Sequence, residues 1–477
     1  MPLKLAKRRS PFLFVAALAA VIAIVAPTNA GTGASATMRY QGSVANPQIG
    51  TPKPVLPTWA KSASIYEVNL RQFSSGSKKF NGLKAQLPRL KALGVQILWL
   101  MPIFPISHQG RLGSLGSPYA VQNYTAVNPE FGSAAEFKAL VKEAHKQGFH
   151  VILDWVGNHS GLDNVWTISH PDWYTVVNGQ IQANRDWSDV ADLNYDVPEL
   201  RTAMFNAMKY WVTSDDIDGF RCDYAGGVPT DFWEDTNTKL QAIKPLFMLS
   251  ENQSDFSHLN SAFVANYGWS LLSAMNGFAS RGGDANSFTS QIYLTQNVYP
   301  NGTFPLNFIT NHDENSWNGT EYERLGAYVK RFSAIYFTLP GVPLIYNGQE
   351  IALNRRLPFF ESSPITWTKS AMTDFYRKLV ALKTKNAALW NGNAGGAINQ
   401  IDGSTEDVLT YTRIKGASKV VVVINLSNAK VTDTVTLGAA KGNYFKYSNG
   451  AKTTLAATQK FVMPAGSFEV YSTTQVK

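Results

Sequence analysis

The chain has 477 residues, 44% of them hydrophobic and 16% charged, with a formal net charge of +9. That length and apolar content can fill two to four ordinary domains, or one large barrel with attachments, and they exclude wholesale disorder. The single cysteine, Cys222, excludes internal disulfides and cysteine-based metal clusters.

Met1 to Ala30 reads as a secretory leader. Lys4, Lys7, Arg8 and Arg9 form a basic start, Phe12 to Ala26 is nearly continuous apolar, and Thr28-Asn29-Ala30 offers a small-residue cleavage site. The apolar run is short against the ~20 residues of a membrane span, so no stable membrane anchor is expected. The sequence predicts export to the periplasm or medium of a bacterium. The leader carries four of the positive charges, leaving +5 on the rest. No tight Lys/Arg cluster follows Arg9, which argues against nucleic acid as a partner. Residues 31–57, rich in Gly, Ala, Ser, Thr and Pro, read as a loose tether.

Short apolar runs at Ile65–Leu70, Val95–Met101, Phe149–Val156, Ile217–Cys222, Leu246–Leu249, Asn307–Thr310 and Val342–Tyr346 predict buried strands. Trp269–Met275 is the candidate for an eighth. Helices are predicted between them. Ser133–Gln147 places Phe137, Leu140, Val141 and Ala144 on one face, opens with a Ser133/Glu136 capping box and ends at Gly148. Pro198–Val212 is opened by Asp196 and Glu199. Leu83, Leu87, Leu90 and Leu93 mark a third helix, interrupted by Pro88.

Alternation of strand and helix predicts a parallel sheet, and eight strands would close a (β/α)8 TIM barrel over residues 58–390. A doubly wound open sheet would show a glycine-rich loop after its first strand, and none follows Leu70. The segment from His159 to Asp192 is too long for an ordinary loop and predicts a short inserted excursion after strand 3, about residues 159–195. From Asn391–Gly396 onward the texture changes. Asp407–Ile414, Lys419–Asn425, Val431–Leu437 and Phe468–Ser472 predict a C-terminal all-β sandwich over 397–477.

Polar residues end the predicted strands: Asp154 with Asn158-His159, Arg221 with Asp223, Glu251, and Asn311-His312-Asp313. In a barrel, Asp223, Glu251 and Asp313 would enter one cavity from separate strands. Such a trio suits glycosidic bond cleavage, where one carboxylate attacks the anomeric carbon and another group stays protonated for the leaving oxygen. Crowded like charges raise the pKa of one member. Arg221, two residues before Asp223 and on the same strand face, could keep that carboxylate ionised. Metal-assisted hydrolysis would call for spacing such as His-x-x-x-His, which the chain lacks, so no metal site is expected.

These segments, together with Ile65-Tyr66-Glu67, Gly94-Val95, Pro118-Tyr119, Asp192-Leu193-Asn194 and Asn347-Gly348-Gln349-Glu350, resemble the alpha-amylase family of glycoside hydrolases from about Ser62 to the C-terminus. The resemblance implies Asp223 as nucleophile, Glu251 as general acid/base and Asp313 as stabiliser of the distorted sugar. It implies further that Arg221, His159 and His312 bind the sugar or position the nucleophile, that Tyr119 stacks under the ring and that Asp154 orients its neighbours. It implies retention of configuration through a covalent intermediate, with α-glucan or malto-oligosaccharide as substrate. A transglycosylase or isomerase of the same family, and a non-catalytic glucan binder, are the rival readings.

The chain departs from the family pattern in places. Gly226 and Gly227 stand where many starch-cleaving members carry Lys-His, and Gly116 stands where exo-acting glucosidases carry Asp. No cofactor is expected. Asn158 and Asp192 match positions that hold a structural calcium ion in relatives, with the Gly227 carbonyl replacing that of the histidine. Cys222 should face away from Asp223 and be inert. Trp155, Trp187 and Trp317 are candidate sugar platforms.

Overall fold

A computed structural model describes residues 54–181 and 187–476. The leader expected over 1–30 and most of the tether expected over 31–57 lie outside the described residues, as do residues 182–186 of the excursion.

Eight parallel strands close a barrel: β1 (Ile65–Val68), β2 (Ile97–Leu100), β3 (His150–Val156), β4 (Gly219–Asp223), β5 (Phe247–Ser250), β6 (Ala265–Tyr267), β7 (Phe304–Asn307) and β8 (Val342–Tyr346). Each strand pairs with its neighbours in sequence, and β1 pairs with β8 in the register Ile65↔Leu344 and Glu67↔Tyr346. Alternation divides the side chains. Ile65, Ile97, Trp99, Ile152, Phe247, Leu249, Phe304, Leu306, Val342 and Leu344 fill the lumen. Tyr66, Leu98, Leu153, Phe220, Cys222, Met248 and Ile345 pack outward against the helices. The lumen-facing positions near the C-terminal strand ends are Glu67, Asp154, Arg221 and Asp223.

Local chemistry explains most of the helices. The helix α1 (Lys79–Leu93) runs through Pro88, which lies on its solvent side. An interior proline costs about 3 kcal/mol, whereas burying each of Leu83, Leu87, Leu90 and Leu93 gains ~1.5–3 kcal/mol, so packing prevails. In α2 (Ala134–Lys146) both halves of the Ser133/Glu136 capping box form, and Gly148 takes φ +81°, the left-handed turn that ends the helix. The helix α3 (Pro198–Ser214) follows Val197 with no side-chain cap, contrary to the opening expected from Asp196. Pro198 at its first position has a preset φ and no N–H to satisfy.

Two strand expectations need correction. Trp269–Met275 is helical, within α4 (Trp269–Arg281), and the missing strand is the three-residue β6 just before it. Three residues are too few to show a period. The strand expected at Asn307–Thr310 lies earlier, at β7, which contains Pro305. Proline ordinarily argues against a central strand, and here it disguised one.

The excursion after β3 is closed by a ribbon pairing His159–Gly161 with Val190–Asp192, in which His159 sits opposite Asp192. At the C-terminus a six-stranded antiparallel sheet faces the pair Val431–Thr436 and Thr458–Met463. Val421, Val423, Val435, Phe461 and Tyr471 fill the space between. Alternate residues of the same sheet, Leu409, Tyr411, Val420 and Val422, join the core formed around the barrel helices. Arg413 Nη1 donates to the Thr338 carbonyl at 3.0 Å, and Tyr447 Oη to that of Phe375 at 3.1 Å. Among the described residues, no helix is long and apolar enough to cross a membrane.

At the N-terminal strand ends, opposite the site, Asp218 lies 2.8 Å from His145 Nε2 and 3.1 Å from Lys244 Nζ. Its carboxyl is held well below the usual range: burial opposes this, but His145, His150 and Lys244 outweigh burial. The hydrogen bond to Asp218 raises His145. A raised histidine contributes stability that is complete below its unfolded value of ~6.5 and is lost as pH rises through its folded value. His145→Gln should therefore flatten the decline of unfolding free energy between about pH 6 and 8, measured by urea titration at several pH values. An unchanged slope would dissolve the claim.

Candidate active site

Four strand ends supply the acidic groups. Asp154 lies on β3, Asp223 is the last residue of β4, and Glu251 follows β5 directly. Asp313 arrives from the loop after β7 and directly precedes a π-helical turn, Glu314–Asn318. Arg221 joins them. Its Nη1 donates to Asp154 Oδ1 at 2.7 Å and to Asp223 Oδ1 at 2.9 Å. Its Nη2 lies 2.7 Å from Glu251 Oε1, an ion pair rather than an aligned hydrogen bond. Nε donates to Tyr267 Oη at 3.1 Å. The guanidinium is fully buried, with its carbon 5.2 Å from the Trp99 ring, 5.7 Å from Tyr119 and 5.5 Å from Tyr267. A buried cation thus holds three carboxylates within one aromatic cage.

The remaining expected residues close the ring. Tyr119 Oη donates to Asp154 Oδ2 at 3.0 Å and lies 2.7 Å from His312 Nε2, with its ring stacked near that of His312. His312 Nε2 lies 3.3 Å from Asp313 Oδ2. His159 Nε2 lies 3.9 Å from Asp223 Oδ2, placed there by the excursion ribbon. All eight residues singled out from the sequence therefore meet at the C-terminal mouth of the barrel.

Burial shifts the three catalytic carboxyls in the same direction. Burial raises Asp223, against the pull of Arg221, and Asp313 adds to the rise. Burial likewise raises Glu251, again against Arg221 and with help from Asp223. Asp313 is raised by burial and by Glu251, with His312 opposing. Three carboxyls sharing two cations cannot all ionise easily, so the cluster keeps a proton above the ordinary carboxylate range. Burial alone would depress His312, but Asp313 and Glu67 carry it up to about 9.

Sequence reasoning missed several participants. Trp99 Nε1 donates to Asp154 Oδ2 at 3.2 Å, and Tyr267 caps the guanidinium. Neither sits in a motif: Trp99 falls within a run read as a buried strand, and Tyr267 in no predicted element. Tyr224 adopts the left-handed conformation, φ +39°, and its N–H donates to Glu251 Oε2 at 2.8 Å. The half-exposed Trp187 meets the Tyr224 ring edge-on at 5.6 Å and that of His159 at 5.3 Å. The Gly227 signal also has a physical reason. A Cβ there would lie 2.4 Å from the Tyr224 ring and 2.1 Å from Asn158 Oδ1.

Of the three candidate platforms, Trp155 is fully buried among Phe104, Tyr124 and Phe220, so its part is packing. Trp187 and the half-exposed Trp317 remain at the surface, the latter against Phe359 and Phe360. Cys222 is buried on the outer side of β4, where burial pushes its thiol well up. At the calcium positions, Asn158 Nδ2 donates to Asp192 Oδ1 at 3.3 Å. With Gly227, these two offer one carboxylate and two neutral oxygens, short of the 6–8 oxygens that calcium takes.

Comparison with known proteins agrees with this architecture. The family described as alpha amylase, catalytic domain, matches residues 71–188 and 173–396. Alpha-amylase 3 of Dictyoglomus thermophilum is 26% identical over 449 residues, covering 78% of this chain and 86% of that protein. The crystal structure of a noncanonic maltogenic alpha-amylase, AmyB, from Thermotoga neapolitana superimposes with a TM-score of 0.80 at 29% identity, over 88% of this chain and 100% of that one. An alpha-amylase from Lactobacillus plantarum gives 0.77 at 28%, over 87% and 100%.

Proposed function

The chain belongs to the alpha-amylase family of glycoside hydrolases, and from that premise we propose that it cleaves α-glucosidic bonds, chiefly α-1,4, in starch, maltodextrin and related oligosaccharides. The observation that carries this reading is the single Arg221 guanidinium touching both Asp223 and Glu251. Two carboxylates held by one cation supply the neighbouring nucleophile and acid/base that a retaining mechanism uses.

In this mechanism Asp223, whose ionised form Arg221 favours at 2.9 Å against burial, attacks the anomeric carbon to form a covalent glycosyl-enzyme. Glu251, raised by burial, gives its proton to the leaving oxygen, then takes one from the water that releases the sugar. Asp313 and the His312 cation contact the hydroxyls of the distorted ring, and Tyr119 lies beneath it. His159 flanks the nucleophile, and Asp154 fixes Arg221 and Tyr119. Every step uses a side chain of the chain itself, and none calls for a cofactor. The leader over 1–30 supports export, to the periplasm or beyond.

A second reading, transglycosylation, is favoured by one observation. Tyr224 and Trp187 offer half-exposed rings on the Glu251 side, where an acceptor sugar would stack. The test is a product profile on starch, maltotriose, isomaltose, trehalose and sucrose. Shorter malto-oligosaccharides from starch and maltotriose are expected. Products longer than the starting chain would replace hydrolysis by transfer, and inertness toward every glucan would remove the proposal.

A further inference from the structure

Glu67 is fully buried at the lumen-facing end of β1, and the mechanism above gives it no part. Its Oε1 lies 2.5 Å from His312 Nδ1 and 3.4 Å from the His312 main-chain nitrogen. Its Oε2 is buried and has no hydrogen-bond partner among the described residues. A buried carboxylate oxygen without a partner is costly. A neutral glutamine would meet the same donor more cheaply if mere packing were needed.

The donors and acceptors that meet around the ring favour one placement of its protons. Trp99 and Arg221 only donate, and they meet both oxygens of Asp154; burial raises that carboxyl to about 7, while Arg221 favours its ionised, acceptor form. The single Tyr119 hydroxyl proton goes to Asp154 Oδ2. Tyr119 Oη must therefore accept at its 2.7 Å contact with His312, which puts a proton on Nε2. Asp313 Oδ2, 3.3 Å from the same nitrogen, favours that state. The 2.5 Å contact at Nδ1 holds one further proton between the ring and Glu67; burial raises the Glu67 carboxyl, and the His312 charge pulls it back toward its ionised form.

We propose that Glu67 is a positioning residue that keeps His312 doubly protonated, and thereby sets the direction of the hydrogen bonds running from His312 through Tyr119 to Asp154. Glu67 faces the histidine from β1, Tyr119 from the loop after β2, and Asp313 from the histidine's own loop. Arg221, Asp154, Asp223 and Glu251 complete its charged surroundings. Were Glu67 neutral, His312 would lose its inner counter-charge and release a proton nearer its ordinary value. Nε2 would then stop being fixed as a donor to Tyr119. In function this rests on the glycosidase reading, but the protonation state itself does not.

The experiment has two arms on the full chain. Imidazole NMR should show the wild-type His312 ring, identified by its loss in His312→Asn, protonated on both nitrogens through neutral pH. In Glu67→Gln one ring proton should be lost near or below pH 7. Kinetics on maltotriose should show the alkaline limb of kcat/KM moving acidward by about one unit, with kcat down ~10–100-fold and KM less affected. Glu67→Asp, which keeps the charge, should recover the position of the limb. A merely structural glutamate would lower stability and leave the limb in place, and that result overturns the proposal. A neutral wild-type His312 overturns it too, even if Glu67→Gln fails to fold. Absence of any wild-type glycosidase activity would discard the functional reading, while the NMR arm still judges the Glu67–His312 pair.

Discussion

Asp223→Ala should lower kcat/KM on maltotriose by on the order of 10⁴–10⁶-fold while the protein stays folded. The size follows from what is lost: without the carboxylate at the end of β4 no covalent intermediate forms, and water alone must meet the oxocarbenium-like centre. Folding should survive because Arg221 keeps Asp154 at 2.7 Å and Glu251 at 2.7 Å after Asp223 is gone. Glu251→Gln should cost ~10²–10⁴-fold on natural glucans, as expected for loss of an acid/base. Its loss should be smaller on aryl glycosides whose leaving groups need no proton. The control is the far-UV spectrum and melting curve of each variant beside wild type. Near-normal turnover by either folded variant would reject the assignment of roles.

Arg221→Met should be the most destabilising single change in the site, at about 3–5 kcal/mol near neutral pH. Methionine fills much of the volume but leaves Asp154, Asp223 and Glu251 facing one another without their cation. Among the described residues, His312, reaching them by way of Tyr119 and Asp313, and His159, 3.9 Å from Asp223, remain nearby. The pH dependence has a definite sign. With Arg221 gone, the folded-state values of these carboxyls climb further above their unfolded values near 4. The variant is then least handicapped where they are protonated, and its deficit grows as pH rises through the unfolded carboxylate range. Urea unfolding of both proteins at pH 4.5 and 7 reads this directly. A deficit under ~1 kcal/mol, or one equal at both pH values, would mean that Arg221 does not hold the carboxylates together.

What the amino-acid sequence settled by itself was local. Alternation of apolar runs with amphipathic stretches specified a barrel, because strand and helix periods are properties of neighbouring residues. The Ser133/Glu136 box and Gly148 marked their helix for the same reason. Asp223, Glu251 and Asp313 stood out because polar residues ending apolar runs are visible in one dimension. Only closure of the barrel could show that Glu67 meets His312, 245 positions away in the chain. The same holds for Trp99 and Tyr267, which border a guanidinium, and for Gly227, which makes room for the Tyr224 ring. Such partners depend on strand register and on lumen-facing parity across several strands. A three-residue strand such as β6, or a proline-bearing one such as β7, leaves no periodic trace and is held in place by its neighbours on either side.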